Sequence, residues 1–180
     1  MIPLKVLKIS YDPSGKNYAV ILKEVRGEIC IPIIIGSFEA QSIALAIEVI
    51  EAPRPLTHDL ICDMINSLDL DLNSVKISHL EDGVFYSKIE FKTMDSKILS
   101  LDARPSDSIS IAIRLNIPIL ISPKILDEAG VKENYFKEKK SKNSNIISLK
   151  SLKKKLEHAI EKEEYEKAAK IRDTIIKLNS

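Results

Sequence analysis

The sequence has few of the residues on which several common kinds of site depend. Among its 180 residues there is no Trp, aromatic residues make up 5%, and 5 residues are Gly, none of them clustered. Without a glycine cluster there is no phosphate-binding loop, which argues against an ATP-driven enzyme. The low aromatic content leaves little material for stacking on nucleic-acid bases. The run Ile31-Pro32-Ile33-Ile34-Ile35 is only strand-sized, and no apolar run approaches the ~20 residues of a membrane span.

Cysteine is scarce too, and the usual metal-binding spacings are absent. The two cysteines, Cys30 and Cys62, fit no metal spacing, and no HExxH or CxxC motif occurs. Two isolated thiols predict a reduced, cytoplasmic protein in which both are buried. The N-terminus lacks a basic region followed by an apolar stretch, so no signal peptide is expected.

Charge is divided unevenly along the chain. Residues 1–136 contain 14 Lys or Arg and 19 Asp or Glu, a net charge of −5, whereas residues 137–180 contain 13 and 7, a net charge of +6. A basic tail on an acidic body could place positive charge near nucleic acid or an acidic partner. The alternative is that a lysine-rich tail is simply well solvated.

Composition and periodicity divide the chain into three parts. Residues 1–136 are predicted to form one domain, since 44% hydrophobic residues suffice for a core. Residues 137–148 are polar and aperiodic and predict a flexible linker, and helical periodicity returns over 149–180, which predicts a helical hairpin. A hairpin this small is not stable alone, so we expect it to pair with a copy of itself, another hairpin or the body.

The apolar patterns predict an α+β domain made of two β-β-β-α units. Strands are predicted at 4–10, 18–23, 29–35, 74–80, 84–92, 97–101 and 117–121, and helices at 39–50, 58–68, 106–115 and 124–129. Pro32 lacks a backbone donor, so its strand is expected at an edge or a bulge. Thr57 and Ser106 are the predicted N-caps of their helices, and Asp107 falls in a first turn, where its charge suits the helix dipole.

The two units also resemble each other in sequence. A shift of 66 residues places Ser42-Ile43 on Ser108-Ile109, and a shift of 68 places Lys8-Ile9-Ser10 on Lys76-Ile77-Ser78. We interpret this as an internal duplication in which two residues were lost between hairpin and helix. Chance matching of apolar helices is the alternative.

Two motifs in the body resemble the bifunctional nuclease family. They are Arg54-Pro55-Leu56-Thr57-His58-Asp59-Leu60 and Asp102-Ala103-Arg104-Pro105-Ser106-Asp107, the second followed by an Ile-rich helix. The resemblance spans roughly residues 1–131. It implies a duplicated α+β fold, often oligomeric, and cleavage of DNA and RNA.

The C-terminal segment resembles the UVR motif, the UvrB/UvrC-interaction hairpin of excision repair. The matching residues are Leu156, Ala159, Glu164-Tyr165-Glu166, Ala168-Ala169, Arg172-Asp173 and Ile176, with Tyr165 where the motif more often has Phe. The resemblance implies pairing with a protein partner through Tyr165, Ala168, Ala169 and Arg172. A body of this kind followed by such a hairpin is typical of bacterial proteins.

The carboxylates and the histidine of the two body motifs could support phosphodiester hydrolysis. His58 is the candidate general acid or base, since an unperturbed pKa of ~6.5 lies near working pH. Asp59 and Asp107 could orient His58 or hold Mg²⁺ or Mn²⁺, and Glu39 could add a third carboxylate. The three carboxylates come from separate segments, which makes the metal a weak expectation.

Two Arg-Pro turns supply the candidate substrate-binding groups. Arg54 and Arg104 could each grip a phosphate with two hydrogen bonds, and Ser106 follows the second of them. The hypothesis is that both turns converge on one cleft with His58. The alternative is structural: Arg54 and Arg104 pair with Asp59 and Asp107, and His58 is a hydrogen-bonded surface residue.

Two functions from different classes therefore remain. The first is a nuclease of DNA, RNA or both, recruited to its partners by the hairpin. The second is a non-catalytic, oligomeric adaptor that presents the hairpin to a repair or stress-response protein. The acidic body slightly favours the adaptor, because binding several phosphates usually needs a basic face. The specific motif match favours the nuclease.

Overall fold

Three strands and a helix follow one another twice along the chain. The computed structural model describes residues 1–12, 15, 17–93, 95–134 and 136. Its elements are β1 (Ile2–Asp12), β2 (Asn17–Glu24), β3 (Ile29–Ile35), α1 (Ser37–Ile47), α2 (Thr57–Ser67), β4 (Asp71–Glu81), β5 (Val84–Lys92), β6 (Ile98–Ala103), α3 (Pro105–Leu115), β7 (Ile119–Ile121), α4 (Pro123–Ala129) and β8 (Val131–Lys132). The predicted α+β class and the repeated β-β-β-α order are confirmed.

All eight strands form one sheet in the order β6-β5-β4-β7-β1-β2-β3-β8. Each unit contributes an antiparallel meander, β1-β2-β3 or β4-β5-β6. The short strand β7 joins them, because it pairs parallel with β4 and antiparallel with β1. Pro32 lies in an edge stretch as predicted, since β8 covers β3 only at Ile29 and Cys30.

Helices α1 and α3 pack against each other and against the inner face of the sheet. The core consists of alternating strand residues and the apolar faces of the helices, among them Val20, Leu22, Ile31, Ile33, Ile43, Val75, Ile77, Ile109 and Ala112. Fully burying an isoleucine side chain contributes about 1.5–3 kcal/mol, so this layer dominates the stability of the fold. The thiols of Cys30 and Cys62 are both buried, as expected.

The helix starts differ from the predictions. Helix α2 begins at Thr57 with Leu56 as its N-cap, and α3 begins at Pro105 with Arg104 as its N-cap. Proline at the first helical position fits because it needs no hydrogen-bond partner for a backbone donor and its φ is already helical. The predictions that Thr57 and Ser106 cap these helices were therefore wrong.

The two repeated units align in the structure without a loss of residues between hairpin and helix. Helices α1 and α3 have the same length and begin at residues 37 and 105, which is the shift of 68 seen for the upstream hairpins. Helix α1 ends at Ile47 rather than at residue 50 because Val49 adopts a left-handed conformation with φ of 53°. The expected loss of two residues between hairpin and helix was wrong.

The chain divides into two units, Met1–Lys132 and Glu133–Ser180. The predicted linker, 137–148, and the predicted hairpin, 149–180, lie outside the described residues. No helix in the described part of the chain is long and apolar enough to cross a membrane.

Candidate active site

The first turns of three helices bring together side chains that are far apart in the sequence. Glu39 lies in the first turn of α1, His58 in that of α2 and Asp107 in that of α3, and Arg104 directly precedes α3. An acidic side chain in a first turn is favoured by about 0.3–1 kcal/mol through the helix dipole. The positions of Glu39 and Asp107 are therefore stable before any function is considered.

Both ring nitrogens of His58 are hydrogen-bonded. Nδ1 lies 2.9 Å from Ser42 Oγ, and Nε2 lies 3.2 Å from Asp107 Oδ1. The His58 side chain is 15% exposed and that of Asp107 28% exposed. Partners at both nitrogens fix the orientation of the imidazole, which is what an acid–base group requires.

The guanidinium of Arg104 binds two carboxylates and keeps free donors. Its Nε donates to Asp107 Oδ2 at 2.8 Å and its Nη2 to Asp107 Oδ1 at 3.0 Å, while Nη1 donates to Glu39 Oε1 at 3.1 Å. The hydrogen bonds to Asp107 raise the pKa of Arg104. A guanidinium has five N–H groups, so two remain for an anion. The side chain is 67% exposed and therefore accessible to a ligand.

Asp107 is held in its ionised form. Burial acts to raise its pKa, but the hydrogen bonds from Arg104 and His58, together with the positive charge of Arg104, outweigh burial and lower the pKa. The carboxylate is consequently an acceptor toward both neighbours at neutral pH.

A second arginine ties the three helices together. Arg114 Nε donates to Asp59 Oδ1 at 2.6 Å, and its Nη1 donates to the backbone oxygens of Ser42 at 3.3 Å and Ser110 at 3.2 Å. Its side chain is 11% exposed. The hydrogen bond from Arg114, followed by one from the Leu56 backbone N–H, lowers the pKa of Asp59. Asp59 thus links the first turn of α2 to Arg114 on α3.

A pair of buried serines connects Arg114 with His58. Ser42 Oγ lies 3.0 Å from Ser110 Oγ, and Arg114 Nη1 donates to Ser110 Oγ at 3.4 Å. Ser42 is 8% and Ser110 0% exposed. The sequence patterns did not predict a role for Ser42, Ser110 or Arg114. The available signal was two polar residues, 68 apart, on the apolar faces of the repeated helices.

The predicted site is only partly assembled. His58, Asp107, Arg104 and Glu39 come together as described above, whereas Asp59 is bonded to Arg114. Arg54 is exposed and makes no ion pair or side-chain hydrogen bond within the described residues. Ser106 is 8% exposed and lies beside Arg104 at the start of α3.

The three predicted metal ligands do not form a metal-binding group. In the part of the chain that the structure describes, no group of three or more His, Cys, Asp or Glu side chains is placed to hold a metal ion. Asp59 is bonded to Arg114, and Glu39 and Asp107 share the guanidinium of Arg104. The guanidinium of Arg104 already supplies the positive charge between Glu39 and Asp107, so these carboxylates do not fit a site for a divalent ion.

A groove of about 460 Å³ opens beside Arg104. It is lined by the end of β3, the start of β5 and the end of β6: Pro32, Ile33, Ile34, Ile35, Gly36, Glu39, Gly83, Val84, Phe85, Tyr86, Asp102, Ala103, Arg104, Pro105 and Ser106. Arg104 and Glu39 belong both to this groove and to the cluster around His58. They connect a ligand-sized space with the acid–base group.

Two family models match the chain. The model described as the bifunctional nuclease domain matches residues 20–134, and the model of the UvrB/uvrC motif matches residues 147–180. The first match contains the whole cluster described above, and the second falls on residues that the structure does not describe.

Relatives from bacteria and plants match the same body. An uncharacterized protein of Mycobacterium tuberculosis is 38% identical over 128 residues, which cover 71% of this chain and 76% of that protein. Bifunctional nuclease 1 of Oryza sativa subsp. indica is 27% identical over 66% of this chain and 37% of its own length. Bifunctional nuclease 2 of Arabidopsis thaliana is 23% identical over 67% of this chain and 40% of its own length. The matched region thus spans less than half of either plant protein.

Proposed function

This chain belongs to the bifunctional nuclease domain family, and on that premise we propose that it hydrolyses phosphodiester bonds of DNA, RNA or both at the cluster of His58, Asp107 and Arg104. The observation that carries the proposal is the contact sequence His58–Asp107–Arg104, which joins a titratable imidazole to an exposed guanidinium through one carboxylate. Phosphodiester hydrolysis needs a proton-transfer group and a cation that stabilises the charged transition state. The cluster contains both.

Arg104 is the proposed phosphate-binding residue. Its two remaining N–H groups can bind two phosphate oxygens, and a planar guanidinium suits that geometry. Glu39 and Asp107 hold the guanidinium in place before substrate arrives. Ser106, at the wall of the groove, is the second proposed substrate contact.

His58 is the proposed acid–base residue. The bond from its Nε2 to Asp107 is the longer of its two, and a phosphate bound to Arg104 offers another oxygen acceptor to the same Nε2–H. The leaving oxygen of the substrate replaces Asp107 at Nε2, and the imidazolium form of His58 donates its Nε2 proton to that oxygen as the P–O bond breaks. The neutral imidazole that remains, with Nδ1–H donating to Ser42 Oγ, then takes the proton that the attacking water gives up as it bonds to phosphorus, which restores the imidazolium. Asp107 stabilises the imidazolium, and no step passes through a metal ion.

Cleavage by the purified full chain tests the proposal. End-labelled single-stranded and duplex DNA and RNA are incubated with wild type, Arg104→Ala and Arg26→Ala, each with Mg²⁺, with Mn²⁺ and with EDTA. Arg26 is an exposed arginine near the β2–β3 turn and serves as the matched control. We expect wild type and Arg26→Ala to cleave alike and Arg104→Ala to be about 10²-fold slower, as for loss of one transition-state donor. Equal rates for all three would contradict the proposal.

An adaptor is the second candidate function, and one observation favours it. No buried side-chain nitrogen or oxygen in the described residues lacks a hydrogen-bond partner, so the buried part of the cluster is already satisfied without substrate. A stable polar network of this kind also suits a scaffold. In that case the segment matching the UvrB/uvrC motif provides the function by binding a protein. Wild type that cleaves none of the substrates above would support the adaptor.

Self-association accompanies either function in our proposal. Strand β6 is an edge of the sheet, and Ile98, Leu99 and Leu101 on it are 46–53% exposed. An exposed apolar edge strand readily pairs with another strand. Antiparallel pairing of two copies about Ser100 sets Leu99 of one copy opposite Leu101 of the other. We therefore propose a cytoplasmic homo-oligomer whose copies meet at β6.

A further inference from the structure

The walls of the groove beside Arg104 are apolar and accessible. Ile34, at the end of β3, is 63% exposed, and Val84, at the start of β5, is 55% exposed. Phe85 and Tyr86 extend the same wall as partly buried aromatic residues. Tyr86 is also stacked on His79, with ring centroids 4.2 Å apart and planes 9° from parallel. Surfaces of this kind accept the flat face of a nucleic-acid base, whatever its sequence.

The groove can neutralise one phosphate and no more. Arg104 is the single Lys or Arg among its lining residues in the part of the chain that the structure describes, and Glu39 and Asp102 line it as acids. Binding a duplex along its length depends on neutralising several phosphates, each by a Lys or Arg. The acidic lining opposes a second and a third phosphate, while the free donors of Arg104 accept the first.

The volume of the groove also suits one small ligand. At about 460 Å³ the groove falls in the ~300–1,000 Å³ range of pockets that enclose a single small ligand. A base within a duplex is stacked and paired, and it must be unpaired and extruded before it can enter such a space. An unpaired base avoids that step.

From these observations we infer that the substrate is an unpaired nucleotide, at a strand end or within a single-stranded segment, whose base lies against Val84 and Ile34 and whose phosphate is bound by Arg104. The inference rests on the proposed function and narrows it to single-stranded nucleic acid. Base recognition is by stacking and apolar contact, so DNA and RNA single strands bind alike.

Binding measured apart from cleavage tests the inference. The parent is full-length His58→Ala, so that labelled probes remain intact. Fluorescence anisotropy at one fixed salt concentration compares single-stranded DNA and RNA with a blunt hairpin of the same sequence. Val84→Asp is introduced into this parent. Val25→Asp is the matched control, because Val25 is also an exposed valine (48%), located after β2 near the opposite end of β3.

We expect the single strands to bind at least tenfold more tightly than the hairpin, Val84→Asp to weaken that binding about tenfold, and Val25→Asp to leave it unchanged. Equal affinity for hairpin and single strand, or a Val84→Asp protein that binds like its parent, overturns the inference. If Val84→Asp lowers the urea unfolding midpoint, Ile34→Asp replaces it with the same expected result.

The binding and cleavage experiments distinguish failure of this inference from failure of the proposed function. Wild type that binds single strands without cleaving them would refute the nuclease and retain the inference. Wild type that cleaves duplex and single strand at equal rates would retain the nuclease and refute the inference.

Discussion

The direction of the hydrogen bonds around His58 follows from the carboxylate of Asp107. The ionised carboxylate of Asp107 only accepts, so Nε2 of His58 carries the proton, and Nδ1 accepts from the Ser42 hydroxyl. Ser42 then accepts from Ser110, whose oxygen accepts from Arg114, a group that only donates. The carboxylate sets this direction and the donor Arg114 is compatible with it, so neutral His58 has one tautomer and one orientation.

Removing the Ser42 hydroxyl tests this role. In Ser42→Ala we expect nuclease activity to fall about tenfold, because His58 loses the partner of Nδ1, and the free energy of unfolding to fall by about 1 kcal/mol. Ser108→Ala is the control, since Ser108 belongs to a similar buried pair with Ser87 at 2.8 Å. It should lose comparable stability and keep its activity. Equal activity losses in both variants would show that Ser42 acts only through stability.

Asp59 predicts an acid dependence of stability. Its pKa is lowered in the folded chain, chiefly by the hydrogen bond from Arg114, while in the unfolded chain it is about 3.9. The stabilisation is complete above the unfolded value and is lost as pH falls through the lower, folded value. Asp59→Asn should therefore reduce stability at pH 6 and flatten its decline between pH 5 and pH 3. Urea unfolding at each pH measures this, and an unchanged slope contradicts it.

Sequence patterns predicted the elements well and the site only in part. The apolar run Ile29–Ile35 and the stretch Val84–Lys92, which is rich in β-branched and aromatic residues, predicted both strands to the residue. Helix starts were missed by one or two residues, because Leu56 and Arg104 take the N-cap position without a side-chain bond. Arg114 was missed because its partner Asp59 lies 55 residues away, a contact that no local spacing reveals.

Helix α3 contains Asp107, Ser110 and Arg114 of the site, and its opposite, apolar face packs in the core of the domain. Ile109 is 0% exposed and lies in the same turn of the helix as Asp107 and Ser110. Ile109→Ala should lower the free energy of unfolding by about 2–5 kcal/mol, through lost burial and a residual cavity. Leu99→Ala, at a residue 51% exposed on β6, is the control and should cost far less. Urea denaturation distinguishes them, and equal losses would contradict the assigned core.

At the scale of the whole molecule, the unprotected edge β6 predicts association. Leu101→Lys places a charge on that edge, and like charges meet when two copies pair. Light scattering should report a multiple of the 20.2 kDa chain mass for wild type and a lower mass for Leu101→Lys. Val25→Lys controls for added surface charge. A wild type that is monomeric at micromolar concentration would refute self-association at β6.

The most direct test of the whole account is the cleavage rate of His58→Ala. The full chain and this variant, purified in parallel, are assayed on one labelled single-stranded oligonucleotide with Ser108→Ala as the folding control. A general acid–base residue contributes about 10²–10⁴-fold, so we predict a loss of at least 10²-fold in His58→Ala and wild-type activity in Ser108→Ala. Cleavage by His58→Ala at the wild-type rate would contradict the central claim that this imidazole, held by Ser42 and Asp107, transfers the proton.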